Sequence, residues 1–329
     1  MTRIQAIAGL DPARHQRHPL HSPDRDWPEK NCYIDLWIEL LGAMKLEPHA
    51  LLGHTIAVDF LGDQWTFFKP TPSELRELYG IDVQEMTVWR ALEEHAVEHL
   101  SSGRLIATEA DSFWLPDTEA TDYRRKRTKT TIVIAELDTQ SQRLGYFHNA
   151  GYFEAQGEDY VKLLKPGGCD MPLLAELVRI ERSVRRPDGE LAEIAMELLG
   201  HHFQFKPAAN PFIAFAPRLA KELAQLHERG PAYYHEWAFA SVRQAGAAFE
   251  LAAAHLDWLA RHGYDFDGAA TGFRTLSSTC KSLILKGARV AHTGKPFDAK
   301  PAMDTAAQAW EEAMEAVESA ATNAAWPGA

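Results

Sequence analysis

The texture of the sequence changes near residue 165, and that change limits the fold more than any single motif. Before it, short β-branched and aromatic runs alternate with amphipathic stretches. After it, Ala, Leu and Glu dominate with helical periodicity and almost no strand signal. A chain of 329 residues has room for one large domain or two ordinary ones. The reading is α+β: an irregular arm over 1–29, an α+β domain with an antiparallel sheet over 30–165, and an all-helical domain over 166–329.

Local signals place the elements. The run from Cys32 to Met44 predicts a helix. Thr55 to Phe60 and Gln64 to Lys69 predict a hairpin turning at Gly62-Asp63. Thr71-Pro-Ser-Glu74 sets an N-cap, a helix-compatible proline and a capping-box glutamate in order, with Gly80 as the stop. A further helix is expected from about 85 to 99, a strand from Arg104 to Ala110, and a hairpin pairing Thr130–Leu137 with Arg143–His148. Beyond residue 165, helices are expected at about 171–183, 188–200, 215–229, 234–262, 270–287 and 302–320. Ala245-Gly-Ala-Ala248 would let neighbouring helices approach closely.

Charge and composition exclude some functions. A net charge of -12 gives no support to a nucleic-acid partner. The local exception is Tyr123-Arg-Arg-Lys-Arg-Thr-Lys129, where five of seven residues are cationic. Such a run is either a solvated loop or a docking patch for an acidic partner or a phosphate, since Arg pairs bidentately with phosphate oxygens. No apolar run is long enough to span a bilayer, and Met1 to Arg25 is polar and His-rich without a signal-peptide core. The expectation is a cytoplasmic protein with no membrane partner. Cys32, Cys169 and Cys280 are odd in number and widely spaced, which argues against a disulfide framework.

Cys32 is the leading nucleophile candidate. A helix start offers unpaired N–H groups and the positive end of the macrodipole, both of which favour thiolate. Asp35, Glu39 and Gly42 form the one polar stripe of this helix, and Cys32 lies three and seven residues before the first two. It is therefore expected to face a cleft or solvent. Asp35 counts against activation, because a nearby carboxylate raises a thiol pKa. A base is needed as well. Gly145-Tyr-Phe-His-Asn-Ala-Gly151 supplies His148 and Asn149 at a strand end, but adjacent strand residues point to opposite faces, so only one can face Cys32 unless the chain bends.

Asn31-Cys-Tyr-Ile-Asp-Leu-Trp37, Asp63-Gln-Trp-Thr-Phe-Phe-Lys69, Asp111-Ser-Phe-Trp-Leu-Pro-Asp-Thr118, Lys129-Thr-Thr-Ile132 and Gly145–Gly151 together resemble a bacterial family of domain-of-unknown-function type. Its members are often encoded beside amino acid:carrier-protein ligases and acyl carrier proteins. That resemblance covers about residues 25–165 and, more loosely, Ala240 to Leu259; more distantly, at the level of fold, the family resembles the butirosin-biosynthesis H-type acyltransferases, which are papain-like. The resemblance implies a papain-like N-terminal domain and a cysteine-dependent acyltransferase. That enzyme would move an acyl or aminoacyl group from a carrier-protein phosphopantetheine thioester to an amine, with no cofactor of its own.

In that scheme Cys32 attacks the thioester, helix-start amides form the oxyanion hole, and Asn149 or His148 orients or acts as the base. Papain-like enzymes place a histidine at the start of the preceding strand, and Arg127 to Thr130 contains none, so His148 or Lys129 would have to serve. Asp111 and Tyr146 would contact the substrate, and Arg124, Arg125 and Arg127 would meet the carrier or its phosphate. A non-catalytic carrier-binding role is the alternative. A third class enters through His95-Ala-Val-Glu-His99, which matches the His-x-x-Glu-His pattern of inverted zinc peptidases, with His95 and His99 as ligands and Glu98 as base.

Overall fold

The computed structural model describes residues 3–164 and 174–323, with side chains to residue 320. Two compact units interleave along the chain. The first comprises Met1–Ser22, Asn31–Pro48 and Thr71–Arg186; the second comprises Pro23–Lys30, His49–Pro70 and Pro187–Ala329. The change of unit therefore falls at 186/187 rather than near 165, and the expected arm over 1–29 is divided at Ser22. Cys169 lies outside the described residues.

The first unit is built on an antiparallel sheet of strands β1 (Ile4–Gln5), β4 (Asp82–Glu85), β5 (Leu105–Asp111), β6 (Lys129–Asp138), β7 (Arg143–His148), β8 (Gly151–Gln156) and β9 (Ala175–Arg179). The order is β4-β9-β5-β6-β7-β8, with β1 added to the far end of β6. The predicted hairpin is β6–β7. Ile132, Val133, Ile134 and Ala135 are all buried, as a strand covered on both faces requires. A register shift between Ile134 and Glu136 turns the end of β6 toward β1. β8 follows through a two-residue turn in which Asn149 takes φ +44°, a left-handed conformation that asparagine tolerates.

Helix α1 (Cys32–Ala43) is started by Asn31, whose side chain accepts from Tyr33 N and Ile34 N. Helix α2 (Pro72–Tyr79) shows the full capping box, Thr71 with Glu74, and stops at Gly80 in the left-handed region. Helices α3 (Leu92–Ser101) and α4 (Glu158–Leu164) complete this unit. Two expectations fail. Residues 82–85 form β4, so the helix predicted from about 85 starts at Leu92. Of the predicted 171–183 helix, residues 174–183 are described, and Ala175–Arg179 among them form strand β9, paired with β4 on one side and β5 on the other. Its Ala-Glu-Leu-Val-Arg sequence favours a helix locally, and two waiting strand edges override that preference.

In the second unit, β2 (Phe60–Leu61) and β3 (Gln64–Trp65) form a hairpin shorter than predicted, because Pro48–Ala57 winds as a 3-10 helix. The other elements are α5 (Asp188–Gln204), α6 (Pro211–Ala240), α7 (Val242–Ala260), α8 (Asp267–Thr293) and α9 (Lys300–Asn323). Gly230, at φ +81°, breaks α6 just before Pro231. α7 is the buried centre of this unit. Its Gly246 admits the Trp27 ring, since a Cβ there would stand 2.3 Å from Trp27 and 2.9 Å from Cys280. Trp27 Nε1 also donates to Ser277 Oγ at 2.9 Å. No helix among the described residues is long and apolar enough to cross a membrane.

Candidate functional site

Asp35 and Glu39 share a stripe of α1, as helical spacing predicts, but that stripe is buried. Residues of the N-terminal arm cover it. His21 Nδ1 bonds Glu39 Oε1, and His21 Nε2 lies 3.0 Å from Asp35 Oδ1. His15 Nε2 lies 2.6 Å from Glu39 Oε2, and the His18 amide donates to Glu39 Oε1 at 2.9 Å. Burial opposes the charge on Glu39, yet the bonds from His15 and His21 hold its pKa down to about 2. The polar stripe is thus an internal clamp rather than the wall of a cleft.

Cys32 is half-buried at the first position of α1, and its thiol makes no hydrogen bond among the described residues. Asn31 occupies the amides of Tyr33 and Ile34, two of the groups on which an oxyanion hole was expected. Strand register shows which sheet residues share the face under α1. Phe147 pairs with Val133 and Tyr152, and Val133 with Ala107, which pairs with Glu176. α1 lies on that face: Tyr33 Oη reaches Glu176 at 3.5 Å, and the Glu39-bound His15 stands edge-on to Phe147 at 6.0 Å.

His148, the next residue after Phe147, points to the other face. There both of its ring nitrogens are committed: Nδ1 lies 2.6 Å from Asp117 Oδ2, and Nε2 lies 2.8 Å from Thr130 Oγ1. Tyr146 Oη donates to Asp117 Oδ1 at 2.6 Å. With His148 only 2% exposed, this is a closed internal network, and Tyr146 belongs to it. Burial, with Asp117 adding, pushes the Tyr146 phenol well above its usual range. Asn149 sits in the β7–β8 turn. Lys129 does share the α1 face, but its side chain is 73% exposed and its ammonium donates to Glu109 at 2.9 Å. The structure therefore brings none of His148, Asn149 and Lys129 into a hydrogen bond with Cys32.

The cationic run is folded back on aromatic rings. Arg124 lies 4.3 Å from the Trp114 centroid and 5.2 Å from that of Tyr123; Arg127 lies 4.7 Å from that of Phe113; Lys162 lies 5.5 Å from that of Trp114. Arg124 also pairs with Asp159 at 2.6 Å, and Arg127 with Asp111. Asp111 accepts from Phe113 N at 3.1 Å, so its role in holding the turn is visible. Among the described residues, Arg125 makes no side-chain hydrogen bond or ion pair and is exposed. Sequence reasoning missed Phe113, Trp114 and Lys162 as members of this surface. The Phe-Trp pair beside a cationic run was the available signal.

On α3, the His95 and His99 rings are parallel with centroids 6.2 Å apart. Glu98 is turned outward at 63% side-chain exposure and is bound by Arg90. Among the described residues, no third donor stands with the two histidines at ligand spacing.

Residues 16–180 match the DUF1839 N-terminal domain, and residues 188–319 match the DUF1839 C-terminal domain. Neither description names an activity. No curated protein matches the chain.

Proposed function

The chain belongs to the DUF1839 family, and we propose that it is a non-catalytic binding partner of an acyl or aminoacyl carrier protein in an amino acid:carrier-protein ligase pathway. The observation that carries this reading is the cation-aromatic surface of Phe113, Trp114, Tyr123, Arg124, Arg127 and Lys162, with Arg125 uncommitted beside it. Stacking holds the guanidinium groups in place, so less side-chain freedom is lost when an anion binds. The acidic carrier and the phosphate of its phosphopantetheine are anions of the required kind.

The test is a binding titration of phosphopantetheinylated and unmodified carrier. Arg125→Ala with Lys162→Ala removes two cations that hold no ion pair among the described residues. The pair should weaken binding about tenfold and flatten its salt dependence. Equal affinity of variant and wild type would place the carrier elsewhere or nowhere on the chain.

A second reading keeps the acyltransferase of papain-like type. It is favoured by Cys32 standing at the first position of α1 with an uncommitted thiol. In that reading Cys32 Sγ takes the acyl group from the carrier thioester and an acceptor amine resolves it. It still lacks a base hydrogen-bonded to the thiol, and for that reason it ranks second.

A further inference from the structure

The His-x-x-Glu-His stretch of α3 has a property that neither the zinc pattern nor the carrier-binding surface uses. Three side-chain nitrogens around it are buried with no hydrogen-bond partner among the described residues: Arg90 Nε, His95 Nε2 and His99 Nδ1. His95 is 5% exposed. A buried polar nitrogen left without a partner costs about 1–3 kcal/mol, so three on one stretch of chain call for a partner that the described residues do not provide. Arg90 Nε is a donor in every state, and each imidazole nitrogen donates in the tautomer that protonates it.

The groups around the two imidazoles narrow which ligand fits. Burial lowers the pKa of both imidazoles; Arg90 lowers both further and Glu98 raises both. Arg104 also acts on His99, but its guanidinium is paired with Glu181 at 3.1 Å. The carboxylates in reach of Arg90 are Glu94 and Glu98. Imidazole N–H groups beside the Arg90 fork suit an oxyanion. Glu98 already binds the outer end of Arg90, which shows that this fork accepts a carboxylate. Trp89 stands beside the group, 74% exposed, with its ring edge-on to His95 at 6.1 Å and Arg90 at 5.1 Å from its centroid.

We propose that Arg90, His95 and His99 form a binding site for a small oxyanion, phosphate or carboxylate, in which Glu98 is the resident competitor. An entering oxyanion displaces the exposed Glu98 from Arg90. It accepts from Arg90 and from the two imidazoles, which donate through the nitrogens that now have no partner. The site is separate from the carrier-binding surface and does not rest on it.

Inorganic phosphate is the probe, added to the full chain from which any histidine tag has been removed. Imidazole nitrogen NMR follows His95 and His99, and titration gives the affinity. The proposal expects both imidazole signals to move saturably with phosphate. Arg90→Ala and His95→Gln should weaken binding at least about tenfold, and Glu98→Gln should strengthen it severalfold. The gain in Glu98→Gln is the signature that a structural role would not produce, and this exposed position keeps the test informative if His95→Gln fails to fold. Phosphate that leaves both signals unmoved, or a Glu98→Gln variant that binds phosphate no better than wild type, would overturn the proposal. So would Zn2+ binding that depends on both histidines while phosphate does not bind.

Discussion

Replacing Glu39 by alanine should destabilise the first unit by about 3–5 kcal/mol, the range seen when one partner of a buried charged network is removed. The loss strands His15, His21 and the His18 amide, all of which use Glu39 as acceptor. The sign of the accompanying pH effect follows from the carboxyl itself. Its pKa falls from the usual 4.5 to about 2 in the folded chain, so its contribution is fully present above pH 4.5. It is lost progressively as pH falls from about 4.5 to about 2, and amounts to about 3 kcal/mol. Because a chain of two compact units need not unfold in a single step, hydrogen exchange of the α1 amides is the suitable readout. Protection in α1 should drop in Glu39→Ala at neutral pH, and the wild type should lose a comparable amount on acidification. A variant within about 1 kcal/mol of wild type would show that the arm is not clamped by this carboxylate.

Asp117→Ala should have an effect of similar size, about 2–6 kcal/mol, because it strands the Tyr146 hydroxyl and His148 Nδ1 together at about 1–3 kcal/mol each. The damage should reach the surface. Asp117 lies in the turn between Trp114 and the cationic run, so its loss loosens the loop that presents Arg124 and Arg127 and should weaken carrier binding as well. Asp117→Asn retains an acceptor for one of the two bonds, and its stability should fall between those of wild type and Asp117→Ala. Denaturant unfolding followed at Tyr146 and His148 resonances measures both. If Asp117→Ala unfolded at the wild-type midpoint, His148 could not be regarded as locked in a closed network, and its role as a mobile base would reopen.

What the sequence disclosed was what depends on nearby residues. The capping box at Thr71 and Glu74, the stop at Gly80 and the β6–β7 hairpin involve partners a few residues apart, and each is present. Helical spacing placed Asp35 and Glu39 on one face of α1, but it could not show that histidines 14 to 24 residues earlier cover that face. Strand alternation allowed only one of His148 and Asn149 to face Cys32 unless the chain bends at Asn149; it does turn there, and His148 points to the other face. The partner that fixes the answer, Asp117, is 31 residues upstream. β9 was hidden because its composition favours a helix and only its neighbours β4 and β5 make it a strand. In the cationic run, charge was legible and neutralisation was not: Asp159, Asp111 and Glu109 engage Arg124, Arg127 and Lys129, leaving Arg125 as a surface contact.

The claim that this chain binds a carrier without covalent chemistry is tested most directly by intact-mass measurement of the protein after incubation with an aminoacylated carrier. The account predicts that the mass of the chain stays unchanged while wild type and Cys32→Ala retain the carrier equally. An added acyl mass on the wild-type chain that is absent from Cys32→Ala would contradict it, and would make Cys32 the nucleophile of an acyltransferase.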